Sequence, residues 1–337
     1  MSRAQLTSTV EQSSGGAVAP FLAGKNKIIN GDFSVWQRGT SFSNPAINAY
    51  TADKIIQGNN ASGVAFVDSQ QVFTPGTAPV AGYESAYFYR RNVTTAGSGG
   101  QYNFIQQRIE DIRTLAGQTV TFSFWAKADS ARTVSVNLTQ NSGSGGTGGA
   151  NFNSSNITLS TAWTRYSITT TLTSLSGVTI GTSSYLAVVL NMPINTTMTI
   201  DTWGWQVEAG SVATPFTTAS NTLQGELALC QRYYYRQTAQ TAYSLFGSGI
   251  AYSTTAINGY VKFPITMRTA PASLDISSNL GVYDGANLIS ATFALNTLNT
   301  LDIGSVIATS SGLTQWRPYH FISNNSTSSY FGFSAEL

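Results

Sequence analysis

From Lys25 onward, apolar and polar positions alternate in short runs separated by Gly, Ser, Thr and Asn. The clearest is TVTFSFWAKA (119–128), with Val120, Phe122, Phe124 and Ala126 on one face and Thr121, Ser123 and Trp125 on the other. A period of two marks a half-buried β-strand. Similar runs occupy 63–69, 85–93, 102–109 and 132–140, and continue as NFNSSNITL, WTRYSITTTL, YLAVVLNM and MTIDTWGWQVE. With no helical stretch among them, these runs predict an all-β fold, an antiparallel jelly-roll β-sandwich over residues 25–217. Two segments frame it, NKIINGDFSVWQRG (26–39) and IDTWGWQVEAGSVATPF (200–216). KIIN and FSVWQ read as strand on either side of an Asn30-Gly31-Asp32 turn, and the opening and closing strands are expected to meet. The Gly-rich run 141–150 reads as a flexible hairpin loop.

A period near 3.6 appears after ATPF. Asn221 is placed to cap a helix, and Leu223, Leu227, Cys230 and Tyr234 recur at spacings of 4, 3 and 4 as one apolar stripe. So short a helix is marginal alone. The stripe is therefore either a three-helix seam on a trimer axis or a face packed on the chain's own β domain. Beyond it the alternation of strands resumes, with Asn258-Gly259 and Asp284-Gly285 as hairpin-type turns. The expected organisation is an N-terminal arm (1–24), the jelly roll (25–217), a helical linker (218–236) and a smaller antiparallel β domain (237–337).

Composition narrows the function classes. Only 9% of residues are charged and the net charge is +2, which gives no electrostatic case for nucleic acid or an anionic membrane. No stretch approaches 18 apolar residues, so no membrane insertion is expected. Cys230 stands alone, which excludes an intramolecular disulfide and points to folding in a reducing cytosol. The first twenty residues lack the apolar core of a signal peptide. A cytosol-made protein with the look of an extracellular β-module fits a virion component released by lysis.

Several motifs together resemble one family. INGDFSVWQRG, YTADK, IQQRIEDIRTLAGQTVTFSFWAKA, WTRYSITTTL, IDTWGWQVEAGSVATPF, ELALCQRYYYR and FPITMR look like the carbohydrate-binding-module-like fibre proteins of tailed phages, over about residues 25–270. Residues 1–24, read as either a disordered tail or an arm that orders against another protein, are expected to anchor the chain to a tail, baseplate or capsid protein. The resemblance itself implies a virion fibre or spike protein, often trimeric. It also implies contact with host surface polysaccharide. A structural virion protein without glycan binding (a capsid decoration or tail-fibre adaptor) is the alternative, and a polysaccharide depolymerase is a third.

Sugar recognition needs flat apolar surfaces for C–H faces and planar polar groups for hydroxyls. Trp36, Tyr50, Tyr102, Trp125 and Trp163 are the candidate glycan contacts, while Trp203 and Trp205 share one face of their strand and Gly204 leaves the other bare. Related jelly rolls often hold a structural Ca2+ near the first strand, and the matching positions here are Asn30, Asp32 and Asp201. Catalysis is not expected. Glu110-Asp111 read as surface charge beside Arg108 and Arg113, Asp201 and Glu208 are loosely spaced, His320 lacks a nucleophile partner, and no P-loop, dinucleotide fingerprint or HExxH occurs.

Overall fold

The computed structural model describes residues 24–337, with the backbone alone at 151–154. Nearly all of the arm assigned to residues 1–24 lies outside the described residues. The first domain is a sandwich of two antiparallel sheets. One runs in the order β1 (Ser41–Ser43), β3 (Ala65–Val72), β4 (Tyr87–Thr95), β11 (Met198–Ala209), β6 (Thr119–Ala128), β9 (Thr164–Thr171). The other runs β2 (Ile55–Asn59), β5 (Asn103–Glu110), β10 (Tyr185–Asn191), β7 (Arg132–Asn141), β8 (Gly149–Leu159). Alternation delivers Phe122 and Phe124 from one sheet and Ile105, Val136, Val188 and Leu190 from the other to a shared core. This is the expected fold class.

The framing segments meet, though not as paired strands. Lys27 N–H donates to the Val207 carbonyl at 2.9 Å and Trp205 N–H to that of Gly31 at 2.9 Å. Residues 26–39 form turns, because Asn30 and Phe33 take positive φ (59° and 54°) and break any ladder. The Asn26 amide then serves the β11 backbone directly, donating to Trp205 O and accepting from Val207 N–H. Trp203 and Trp205 do not share a face. The register of β11 on β6 shifts between Trp203 and Gln206, with Gly204 at φ +67°. Trp203 therefore packs on Trp125 and Phe216 outside the sheet, whereas Trp205 meets Phe33 and Phe122 in the core. The Gly-rich run 141–150 is likewise tied down, bridging Ser144 to Thr182 and Thr147 to Thr179.

The second β domain holds a three-stranded sheet, β12 (Tyr234–Thr238), β21 (Tyr330–Ser334), β15 (Ser273–Ile276). Its seven-stranded sheet runs β17 (Leu288–Ser290), β16 (Leu280–Tyr283), β20 (Pro318–Ser323), β13 (Leu245–Ala251), β14 (Ala256–Lys262), β19 (Ile303–Thr309), β18 (Thr292–Leu295). Asp284-Gly285 does form the turn before β17. Asn258-Gly259 does not: it lies inside β14, Gly259 opposite Gly249, because any side chain at 259 would collide with the buried Phe321 ring.

The helix is α1 (Leu223–Gln231), capped by the Thr222 hydroxyl on Gly225 N–H rather than by Asn221. Its stripe divides. Cys230 and Tyr234 are buried within the chain, Tyr234 beneath the Arg38 guanidinium at 3.4 Å and donating to Asp275, while Leu223 and Leu227 face outward. Leu223, Leu227, Cys230 and Tyr234 therefore do not form one trimer seam. Nor is 218–236 a spacer. Buried Glu226 accepts from Asn30 N–H at 2.7 Å, Glu336 accepts from Lys54 (3.1 Å) and Arg38 (3.2 Å), and Arg232 and Tyr233 bond Glu110. These contacts clamp the two β domains together.

Candidate functional site

On β5, Asn103, Ile105, Gln107 and Ile109 point into the sandwich, which leaves Phe104, Gln106, Arg108 and Glu110 on the outer face. Register extends that face across the sheet. Gly58, Phe104, Asn191 and Ser135 form one cross-strand row, and Ile56, Gln106, Val189 and Asn137 the next. The Phe104 ring lies over Gly58, where an added Cβ would sit 2.5 Å from ring carbons. Tyr102 flanks it with ring centroids 5.6 Å apart. A second row over, the buried Asn137 Oδ1 has no hydrogen-bond partner, and Gln106 has none for its side chain among the described residues. A buried polar atom without a partner costs stability unless something supplies one. The face thus joins an aromatic ledge to a row of free planar amides.

The far end of this face is closed by the second β domain. Arg108 lies over the Tyr185 ring at 4.7 Å and donates to the Leu337 carbonyl at 2.7 Å. Glu110, the carboxylate of the face, is committed to Arg232 at 2.8 Å. Beneath the ledge sits a buried ion pair. Arg91 on β4 makes a two-pronged contact with Asp68 (2.7 and 2.5 Å) and also donates to Asn103 Oδ1, Phe104 O and Gln57 Oε1 at 2.7, 3.1 and 3.2 Å. The network joins both sheets and fixes β5 in register under Phe104.

Of the five aromatics singled out in the sequence, Tyr102 stands on this face. Trp36 stacks between Tyr89 and Phe42, its indole N–H donating to Phe33 O. Tyr50 sits between the domains, donating to the Leu337 carbonyl, and burial pushes its hydroxyl well above the usual tyrosine range. Trp125 lies on the outside of the six-stranded sheet, as its alternation implies, but Trp203, Phe216 and Arg165 cover it. Trp163 rests on Phe73 and Phe88 with the Lys127 ammonium 5.2 Å above, completing an aromatic layer there. Trp36, Tyr50, Trp125 and Trp163 are thus held in packing roles. Phe104, Gln106, Asn137 and Asn191 were missed, although the alternation in YNFIQQRI already placed Tyr102, Phe104 and Gln106 together.

The proposed calcium ligands do not fit an oxygen-liganded cation. Asp201 gives both oxygens to Arg90 (2.6 and 2.8 Å), with Lys127 at 3.6 Å. Asn30 spends its amide on Val35 and the Asp53 carbonyl, and Asp32 accepts from Ser34 and Tyr83 while burial raises its carboxyl above the usual range. Among the described residues no three His, Cys, Asp or Glu gather into a metal-binding group.

Comparison with known proteins bears on the same strands. Residues 56–184 match the CBM_4_9 family, described as a carbohydrate binding domain. That part of the jelly roll is similar to a carbohydrate binding domain. The matched span takes in β2, β5 and β7, and hence Phe104, Gln106 and Asn137, but stops just before β10 and Asn191. No curated protein matches the chain. Among solved structures, one titled "CBM4 structure and function" is 18% identical, covering 54% of this chain and 98% of its own at a TM-score of 0.36. The enzymatically active domain of bacteriophage CBA120 tailspike protein 4 is 14% identical, covering 55% of this chain and 22% of its own, TM-score 0.35. A cyclase from Fischerella sp. TAU is 13% identical, covering 56% and 98%, TM-score 0.37.

Proposed function

We propose that the outer face of the five-stranded sheet binds a neutral polysaccharide, with Tyr102 and Phe104 against sugar C–H faces and Gln106, Asn137 and Asn191 bonding hydroxyls. The observation that carries the reading is the aromatic ledge beside unpartnered amides, inside the segment that matches a carbohydrate binding domain. Glu110 and Arg108 are both occupied, so the open part of the face offers no charge for an anionic polymer. The ligand acts as a sorbent and no bond is broken. The likeness of the framing motifs to phage fibre proteins supports placing this activity on a virion, with three copies raising avidity for host surface polysaccharide.

Affinity electrophoresis of the full chain through gels containing mixed-linkage β-glucan, xylan, galactomannan or dextran tests the binding. At least one gel should retard the wild type, and Phe104→Ala should cut that retardation severalfold. Retardation by none, or retardation that Phe104→Ala leaves intact, would overturn the assignment. Sedimentation equilibrium tests the trimer, and labelled antibodies on intact phage test the virion.

A further inference from the structure

The seven-stranded sheet of the second domain also has an uncovered side, and its make-up differs from that of an ordinary solvated face. Tyr260 on β14 is 57% exposed, opposite Ser248, which in turn lies opposite His320. One row on, Ile250 is 53% exposed between Asn258 and Pro318. The side chains of Tyr260, Asn258, His320 and Ser248 make no hydrogen bond among the described residues, and none of these six positions carries a carboxylate, ammonium or guanidinium.

Past the end of β13 the strip continues into loops. Tyr252 is 41% exposed, and the Trp316 backbone N–H is tied to Ala251 O at 2.7 Å. Trp316 is 72% exposed and holds φ at +67°. A bulky residue in the left-handed region is rare and costs energy, and exposing an indole costs more. A fold that needed only a turn here would be better served by Gly or Asn. The Gln315 amide donates to Tyr252 O, locking the two loops side by side.

We propose that this strip, Tyr260–Ile250–Tyr252–Trp316, is a second glycan-binding site on the C-terminal β domain, taking a neutral oligosaccharide. It extends the reading of the first domain but stands on separate residues. Apolar rings supply the stacking surface, and Asn258, His320 and Ser248 supply hydroxyl partners between them. From residue 248 to 252 the strand runs about 13 Å at roughly 3.3 Å per residue, room for several sugar rings. The strip residues themselves carry no charge. Of the cations that border it, Lys262 lies two residues along β14 from Tyr260 and Arg317 pairs with Asp284 at 3.3 Å, a cationic footing too small for a phosphate backbone. A second copy of the chain would bury a free imidazole and amide without supplying assured partners.

The test uses the full chain in the same four polysaccharide gels, with sedimentation equilibrium in parallel. Trp316→Ala/Tyr260→Ala should weaken retardation at least about fivefold on one polysaccharide while Phe104→Ala retains a residual, separately saturable component. Both changes are on the surface, and an unchanged melting curve confirms the fold. If Phe104→Ala alone abolishes all retardation and the double variant matches wild type, the second site is refuted and the first stands. If no gel retards the wild type, both fail. A double variant that shifts the oligomer towards monomer with unchanged retardation makes the strip a contact between copies, and also overturns the proposal.

Discussion

Arg91→Met isolates the buried network under the candidate face. The substitution leaves the Asp68 carboxylate at zero exposure without its cation and removes three further donors, to Asn103, Phe104 and Gln57. Breaking one partner of a buried pair costs about 3–5 kcal/mol, more than the pair itself contributes. For a domain of this size each kcal/mol moves Tm by roughly 2–4 °C, so the jelly-roll transition should fall by about 6–20 °C. Arg91→Met/Asp68→Leu removes both charges and should recover much of the loss, since an apolar pair of similar volume is often neutral. Calorimetry of the two variants at neutral pH reads both effects. Because Arg91 also holds the Phe104 carbonyl, the single variant should show weaker polysaccharide retardation below its transition. The reasoning is refuted if Arg91→Met costs less than about 1 kcal/mol, or if the double variant is no more stable than the single.

Three further outcomes are expected. Gly204→Ala places a Cβ 2.6 Å from the Trp125 ring at φ +67°, so strain and overpacking together should cost about 2–5 kcal/mol, read by urea denaturation. Asp53 is held up to about 6 by burial, opposed by Arg38, so the folded chain keeps a proton that the unfolded chain releases near 4. Its contribution is present in full below about pH 4 and is lost as pH rises through 6, about 3 kcal/mol in all, and Asp53→Asn should flatten that part of the Tm–pH profile. Glu336→Ala leaves Lys54 buried without its carboxylate, and should separate the melting of the two domains into distinct calorimetric transitions.

Much of the fold is legible in the alternation of residues. β6 spans the run read for it, 119–128, because a strand with one face in a core must keep period two. What escaped were positions where tertiary contact overrides local signal. Asn258-Gly259 carries the chemistry of a turn, yet its glycine serves the Phe321 ring across the sheet. Trp203 and Trp205 look equivalent until one bulge turns them to opposite sides. The candidate face was half visible: YNFIQQRI announces Tyr102, Phe104 and Gln106 as neighbours. Asn137 and Asn191 join them only through strand order β5-β10-β7, which no local pattern encodes. The weight given to tryptophan misled, because the largest rings of a sandwich are the ones that folding most gains by burying.

Side-chain amide NMR during titration with the polysaccharide that retards the chain most tests the central claim directly. Binding at the outer face predicts saturable shifts of the Gln106, Asn137 and Asn191 amide signals, together with the ring signals of Tyr102 and Phe104. Shifts confined to the Trp125–Trp163 side of the other sheet, with these amides unmoved at saturation, would contradict it.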